Sequence, residues 1–327
     1  MKLGGCAVKV DALVFLEKGK IGIQSIEIEE PSFDEVQIEM KACGICTGDL
    51  NQYKGITVDG IYPYGFGHEG VGIVIKTGPN VTTYRPGDKV ACIYDPGVCQ
   101  MAQVANVHMN RIAHIPNDIS SFTEWILEPV ACVTNSIHML NLQMGDRIAL
   151  VGAGFMGLLL AQGIAHTLAG ELVVMDMDFD RLKLVPKSNN IKICCLGTEQ
   201  GKKDLEKFLS EKDFDIAIEA SGSASGLATA ENLLKMAGKL QLFGWQRGMR
   251  EFDGTRWHLN GWQICNASPF CNERYEALIP RTVRSMENHF FDLRPLITHS
   301  CDYHCADELF QLGVQRDDGY IKGAILF

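Results

Sequence analysis

The sequence predicts an α/β protein in which a doubly wound parallel sheet domain is inserted into a β-rich domain. Three observations carry this prediction. Residues 1–120 contain strands and turns without an α/β rhythm, strands and helices alternate from about Ser121 to Ile264, and a glycine-rich turn lies within the alternating region. Such alternation is typical of βαβ units, which build parallel sheets. A length of 327 residues accommodates two domains.

Segments rich in valine and isoleucine predict the strands of the β-rich part, at 35–43, 70–77 and 88–94. Pro86 and Gly87 come just before the last of these strands. They suit a tight turn, because proline fixes its own φ and glycine accepts a positive φ.

The alternating part begins with a predicted helix. The elements predicted in it are a helix at 124–140, a strand at 147–151, a helix at 155–168, a strand at 171–176, a helix from 178 that ends before Pro186, strands at 191–196 and 214–220 around a helix at 202–212, a helix at 224–236 and a strand at 239–244. After Ile264 the alternation fades, with helices at 272–288 and 305–313 and a closing strand at 320–327. The predicted domains are residues 1–128 with 265–327, and residues 129–264.

The composition excludes several classes of protein. Hydrophobic residues make up 46% and charged residues 21%, which is typical of a globular chain. A formal net charge of −10 argues against nucleic acid or an anionic membrane as a partner. Lys9, Asp11 and Glu17 interrupt the apolar residues near the N-terminus, so no secretory signal is expected. We therefore expect a cytoplasmic protein whose 12 cysteines are reduced.

The glycine-rich turn follows the pattern G-x-G-x-x-G, with Gly152, Gly154 and Gly157. The first glycine allows the tight turn, the second lets the backbone approach a pyrophosphate, and the third allows close packing of helix and strand. Phe155 and Met156 open the following helix, whose free N–H groups attract phosphate. An ordinary βα turn is the alternative that the pattern leaves open.

Asp176 ends the next strand, 19 residues beyond Gly157. A carboxylate there accepts hydrogen bonds from a ribose 2′-hydroxyl and repels a 2′-phosphate, which favours NAD over NADP. Arg181, just beyond the strand, weakens this preference, since an arginine at that place is able to hold a 2′-phosphate.

Three separate segments supply candidate metal ligands. Cys43 and Cys46 form a C-x-x-C pair, which alone leaves inert thiols, a redox pair and a metal site open. His68 and Glu69 lie among four glycines, and Glu128 stands at the entry to the nucleotide-type domain. One sulfur, one nitrogen and one oxygen, from a cysteine, a histidine and a glutamate, would leave a fourth position open, as at a catalytic zinc.

In this order, the segments CGICTGDL, GFGHEGVGIVIKTGPNVTTYRPGDKV, LEP and VGAGFMG resemble the zinc-dependent alcohol dehydrogenases of the medium-chain dehydrogenase/reductase superfamily. The resemblance runs from about Asp11 to Phe327 and is greatest to the sorbitol and threonine dehydrogenase branch. It implies a GroES-like catalytic domain with an inserted Rossmann NAD-binding domain. It also implies that Cys46, His68 and Glu128 bind zinc, and that Glu69 lies near the metal and exchanges with water or joins the ligands.

The resemblance assigns further roles. Asp49 matches the family aspartate behind the zinc-binding histidine, where it would fix the imidazole tautomer. Lys322 matches a basic position near the cofactor phosphates and that aspartate, with an ordinary strand lysine as the alternative. Ser221 and Gly222, after a predicted strand, are expected to flank the nicotinamide.

The chain also departs from the family pattern. The position that usually carries a proton-transferring hydroxyl is Gly48, so either Thr47 or a water is expected to take the substrate proton. Asn51 stands where some members have a relay histidine. The four-cysteine lobe of a structural zinc is missing, since only Cys99 lies in that region, and one zinc per chain is therefore expected.

The predicted function is the zinc- and NAD-dependent oxidation of a secondary alcohol, of the polyol or sugar-alcohol class, to a ketone by hydride transfer. The alternatives are a zinc-independent NAD(P)H reductase of the same superfamily and a non-catalytic NAD-binding sensor. The expected partner is a small-molecule alcohol. Trp245, Trp257, His258 and Trp262 are candidates for a substrate pocket or a subunit contact, and a homodimer or homotetramer is expected.

Overall fold

The computed structural model describes residues 7–56, 62–268, 275–316 and 319–327. Contacts between residues divide the chain into two compact units, residues 1–129 with 292–327 and residues 130–291. Among the helices in the described ranges, none has both the length and the apolar character that crossing a bilayer requires.

The first unit is mainly β-structure. Its elements are β1 (Val8–Glu17), β2 (Lys20–Ile28), β3 (Glu35–Gly44), α1 (Thr47–Tyr53), β4 (Tyr64–Gly65), β5 (Gly70–Thr77), β6 (Lys89–Cys92), β7 (Val104–His108) and β8 (Ile112–His114), and, from the end of the chain, β15 (Ile297–Asp302), α9 (Ala306–Gln315) and β16 (Lys322–Leu326). One sheet has the order β2-β1-β4; the other runs β15-β16-β3-β5-β6-β8, with β7 also paired to β3. Phe15 and Phe66 stack with ring centroids 4.1 Å apart in the core of this unit.

β3 organises the first unit around the predicted ligands. It pairs antiparallel with β5 on one side and with the closing strand β16 on the other, so that Cys43 lies opposite Gly70 and Ile325. The segments that end β3, precede β5 and begin β16 therefore meet at one end of the sheet.

The second unit holds a six-stranded parallel sheet. Its elements are α2 (Leu127–Leu140, which begins in the first unit), β9 (Arg147–Val151), α3 (Phe155–Ile164), β10 (Glu171–Asp176), α4 (Phe179–Leu182), β11 (Ile191–Cys195), α5 (Glu199–Glu211), β12 (Phe214–Glu219), α6 (Ala224–Leu233), β13 (Leu234–Leu242), α7 (Gly254–Asn260), β14 (Gln263–Asn266) and α8 (Tyr275–Glu287). The strand order β11-β10-β9-β12-β13-β14 is that of a doubly wound dinucleotide-binding sheet. The predicted fold class is thus confirmed.

Some boundaries differ from the predictions. The predicted helix at 124–140 is split, because 122–125 forms a 3₁₀ turn before α2. The second unit extends to Phe291, whereas the sequence predicts a return to the first domain at 265. The pairing of β14 with β13 places residues 263–266 in the parallel sheet of the second unit. Residues 272–274 of the predicted helix at 272–288 lie outside the described residues.

Candidate active site

Cys46 caps the N-terminus of α1, the helix that follows β3. Its Sγ accepts the N–H of Gly48 at 3.4 Å, and its own N–H donates to Oδ2 of Asp49 at 2.8 Å. This reciprocal capping satisfies two backbone groups that the start of a helix leaves unpaired. The fold thus fixes the direction of the Cys46 side chain.

His68 and Glu69 lie between β4 and β5 and approach Cys46. One ligand atom from each of these three residues lies within 4.8 Å of the other two, and the described part of the chain contains no second group of this kind. Glycines make the approach possible. A Cβ at Gly44 would lie 2.0 Å from Oε2 of Glu69, and Gly67, at φ +92°, has no space for a side chain.

Buried charges surround the imidazole of His68. Asp49 is 3% exposed, and its Oδ1 lies 3.9 Å from Nδ1 of His68. Burial lowers the pKa of His68, but its interactions with Cys46, Asp49 and Glu128 outweigh this effect and hold the pKa well above its ordinary value. Surroundings that favour positive charge on an imidazole also favour a bound cation.

Lys322 forms a buried ion pair with Glu69. Its Nζ lies 2.7 Å from Oε1 and 2.5 Å from Oε2 of the carboxylate, and the two residues are 4% and 1% exposed. Burial lowers the pKa of Lys322, but the charge of Glu69 outweighs it and keeps the ammonium protonated. The sequence predicts that Lys322 acts at the cofactor phosphates. The structure shows it paired with Glu69, and the phosphate role stays a prediction.

Glu128 lies in the first turn of α2 and is 5% exposed. It is not in the group formed by Cys46, His68 and Glu69, although its charge acts on His68. A thiolate sulfur, an imidazole nitrogen and a carboxylate oxygen are the donor atoms that zinc binds, so the residues present fit this ion. Which of the two carboxylates completes the ligand set stays a prediction.

The residues considered for proton transfer have different surroundings. Thr47 opens α1 beside Cys46 and is exposed. A Cβ at Gly48 would lie 3.6 Å from Sγ of Cys46, an ordinary van der Waals distance, so a side chain fits there. Asn51 is 1% exposed, and its Nδ2 has no hydrogen-bond partner among the described residues. Of the three positions, Thr47 offers a hydroxyl that solvent reaches.

The glycine-rich turn joins β9 to α3. Gly152 has φ +111°, and a Cβ there would lie 2.9 Å from the backbone of the loop that follows β12. A Cβ at Gly157 would lie 2.0 Å from the carbonyl oxygen of Gly152, whereas Gly154, which caps α3, has open space around it. Phe155 and Met156 form the first turn of α3. The three glycines therefore have the steric environments that the turn, the close packing and an accessible backbone require.

Asp176 ends β10 and reaches the glycine-rich turn. Its Oδ2 accepts the N–H of Ala153 at 2.6 Å, and its Oδ1 accepts the N–H of Asp178 at 2.9 Å. Each carboxylate oxygen has a second lone pair for a ribose hydroxyl. Nε of Arg181 lies 3.5 Å from Oδ2 of Asp178, so the arginine is paired within its own turn of helix.

Glu219, which ends β12, is a residue of this region that the sequence pattern does not single out. It is 0% exposed, and its Oε1 accepts the N–H groups of Ser221 and Gly222 at 2.7 and 2.9 Å. The loop predicted to flank the nicotinamide is therefore built on this carboxylate. One signal is present in the sequence, an acid that directly follows the apolar residues at 216–218.

Comparisons with known proteins find similar sequences over most of the chain. The family described as "Alcohol dehydrogenase GroES-like domain" matches residues 32–136. An uncharacterised zinc-type alcohol dehydrogenase-like protein of Escherichia coli K12, YdjJ, is 25% identical over 94% of this chain and 96% of its own length. L-arabinitol 4-dehydrogenase of Aspergillus niger is 26% identical over 89% of this chain and 85% of its own length.

The fold is also that of a solved structure. An Escherichia coli oxidoreductase/dehydrogenase of unknown specificity superposes with a TM-score of 0.86 at 22% identity, covering 98% of this chain and 99% of that one. The likeness therefore includes both units of the chain.

Proposed function

We propose that the chain is a zinc-type alcohol dehydrogenase of the medium-chain dehydrogenase/reductase superfamily, as its similarity to such proteins supports. It oxidises a polyol or sugar alcohol at a secondary carbon to the ketone, with NAD as the hydride acceptor. One observation carries the proposal: the grouping of Cys46, His68 and Glu69 within 4.8 Å in a chain that also holds the glycine-rich turn. The L-arabinitol relative supports the polyol class.

The proposed zinc ligands are Cys46, His68 and Glu128, with Glu69 as the alternative or exchanging carboxylate. Zinc held there supplies Lewis-acid polarisation of the substrate oxygen. Asp49 ties the two sides of the site together, because its Oδ2 holds the backbone of Cys46 while its Oδ1 faces His68. As the alcohol is oxidised, the hydroxyl of Thr47 carries the substrate proton to solvent.

The proposed cofactor residues lie in the second unit. The backbone at 152–157 faces the pyrophosphate, and the free N–H groups of the first turn of α3 donate to it. The carboxylate of Asp176 accepts a hydrogen bond from the ribose 2′-hydroxyl and repels a 2′-phosphate. Ser221 and Gly222 position the nicotinamide. Pairing of Arg181 with Asp178 supports NAD, because an arginine paired in this way is less available to a 2′-phosphate.

The chain is also proposed to form a homodimer or homotetramer. Large apolar side chains of the second unit are exposed between 245 and 259: Trp245, Met249, Phe252 and Leu259. Tryptophan, phenylalanine and methionine side chains are enriched where two protein surfaces meet. Light scattering coupled to gel filtration tests this, and a monomeric mass at micromolar concentration would refute it.

The reaction is tested by incubating the protein with polyols, sugar alcohols and simple secondary alcohols in the presence of NAD or NADP. The absorbance of the reduced cofactor measures turnover. We expect turnover with NAD and at least one polyol, and loss of turnover after zinc is removed by a chelator. Activity that survives complete zinc removal would indicate a zinc-independent reductase. NAD and zinc binding without turnover on any alcohol would indicate a sensor.

A further inference from the structure

The Glu219 carboxylate joins two loops of the second unit. Oε1 accepts three hydrogen bonds, from the N–H of Ser221 at 2.7 Å, the hydroxyl of Ser221 at 2.5 Å and the N–H of Gly222 at 2.9 Å. Oε2 accepts a hydrogen bond from Nε2 of Gln246, in the segment that follows β13. One side chain thus crosslinks the ends of two neighbouring parallel strands.

The loops held by Glu219 are packed without spare room. A Cβ at Gly244 would lie 2.4 Å from the nitrogen of Gly222 and 2.7 Å from Oε2 of Glu219. On the other side, a Cβ at Gly152 would lie 2.9 Å from the nitrogen of Ser221. The position of the Ser221 loop is therefore coupled to the first glycine of the phosphate-binding turn.

A carboxylate that is 0% exposed is costly unless donors replace its water, and Glu219 has four of them. An apolar residue would be the cheaper choice if only strand packing mattered. The charged acceptor instead fixes the direction of each loop N–H that it binds.

The place of Glu219 in the sheet indicates which part of a dinucleotide these loops serve. In this strand order, the two halves of the cofactor bind on either side of the switch between β9 and β12. Asp176, at the end of β10, marks the adenosine side. The loops after β12 and β13 therefore face the nicotinamide side.

We propose that Glu219 is a positioning residue for the nicotinamide half of the cofactor, an inference that rests on the proposed NAD-dependent function. Glu219 acts through Ser221, Gly222 and Gln246, whose backbone and side-chain groups it orients. The adenosine half does not depend on it.

Two variants separate this role from a general effect on folding. Glu219→Gln keeps an acceptor for the Ser221 loop but turns an amide N–H₂ toward that of Gln246. Because Oε1 of Gln246 already accepts a hydrogen bond from Nε of Arg250, at 3.2 Å, two donors then face each other. The double variant Glu219→Gln/Gln246→Glu restores a donor and an acceptor with their roles exchanged. Thermal unfolding of both variants checks that the fold is kept.

The experiment measures the binding of NADH by fluorescence and of AMP, which lacks the nicotinamide half, by calorimetry. We expect Glu219→Gln to lower the affinity for NADH about tenfold and the affinity for AMP less than about twofold. The double variant should recover most of the lost NADH affinity. Unchanged NADH affinity, an equal loss for AMP, or no recovery would overturn the positioning role while leaving the proposed function in place. Failure of the unsubstituted protein to bind NADH would overturn both.

Discussion

Nζ of Lys322 lies 2.7 Å from Oε1 of Glu69, and both side chains are buried. The lysine begins the closing strand β16, whereas the glutamate immediately precedes β5, and 253 positions separate them in the sequence. Because Glu69 also belongs to the group formed with Cys46 and His68, the ion pair sets the charge beside the candidate metal site. Lys322 therefore has a role within the first unit that does not depend on a cofactor.

Replacing Lys322 by methionine should destabilise the protein strongly, because it leaves the Glu69 carboxylate buried without its cation. We expect a loss of about 3–5 kcal/mol in the free energy of unfolding, measured by urea denaturation with EDTA present so that metal binding does not contribute. The double variant Lys322→Met/Glu69→Gln should lose less than the single one. A single-variant loss below about 1 kcal/mol would show that the pair is not important for stability.

The proton path is testable at two adjacent positions. Thr47→Ala should lower kcat about 10- to 100-fold while leaving NADH affinity unchanged, because the exposed hydroxyl beside Cys46 is lost. Gly48 has space for a Cβ, 3.6 Å from Sγ of Cys46. Thr47→Ala/Gly48→Ser should therefore recover part of kcat by supplying a hydroxyl one position later. An unchanged kcat in Thr47→Ala would assign the proton path to water.

Asp176 should determine the choice between NAD and NADP. Asp176→Ala is expected to lower the affinity for NAD about tenfold and to reduce the preference for NAD over NADP. The reason is that the variant loses both the acceptor for the ribose hydroxyl and the repulsion of a 2′-phosphate. Asp176→Asn is the matched control, because it keeps an oxygen for the N–H of Ala153 while removing the charge. Both affinities are measured by fluorescence titration. An unchanged NAD to NADP ratio in both variants would remove Asp176 from the cofactor site.

Glu171 should make the stability of the second unit depend on pH. Burial raises the pKa of Glu171, but hydrogen bonds from Lys192 and Arg147 outweigh it and hold the pKa below its ordinary value. A carboxyl with a lowered folded-state pKa stabilises the fold above the unfolded value of about 4.5, and this contribution is lost as the pH falls through the folded-state pKa.

Glu171→Gln should therefore cost about 1–2 kcal/mol at pH 7 and progressively less as the pH falls below about 4. The midpoints of urea denaturation, measured at pH 7 and in the acidic range below about pH 4, report the effect. Glu206→Gln, at an exposed position of α5, is the control. An equal loss at pH 7 and at low pH would contradict the assigned linkage.

Local patterns explain which parts of the fold are predictable from sequence. The strands 70–77, 147–151 and 171–176 are observed with the predicted bounds, because hydrophobic runs flanked by turn residues are local signals. Helix ends are less predictable. The helix predicted from 178 stops at Leu182, before Pro186, which disfavours helical backbone at the residue that precedes it.

The contacts within the candidate sites are set by tertiary structure. Gly152, Gly154 and Gly157 lie in one short segment, so the turn that they form is predictable from the local sequence. The pairing of Lys322 with Glu69 is different, since it depends on β16 closing a sheet begun near the start of the chain. The bond between Glu219 and Gln246 likewise depends on the pairing of β12 with β13, and no periodicity in the sequence reports it.

Zinc content tests the central claim most directly. We predict about one zinc ion per chain in the purified protein, by elemental analysis, and less than about a tenth of that in Cys46→Ala, with NADH affinity unchanged in the variant. Each of the ten cysteines in the described ranges is a free thiol. An Ala substitution at Cys195, which ends β11 in the second unit whereas the proposed ligands lie in the first, serves as the control and should retain the metal. Less than about half a zinc per chain in an active protein, or full zinc retention in Cys46→Ala, would contradict the account.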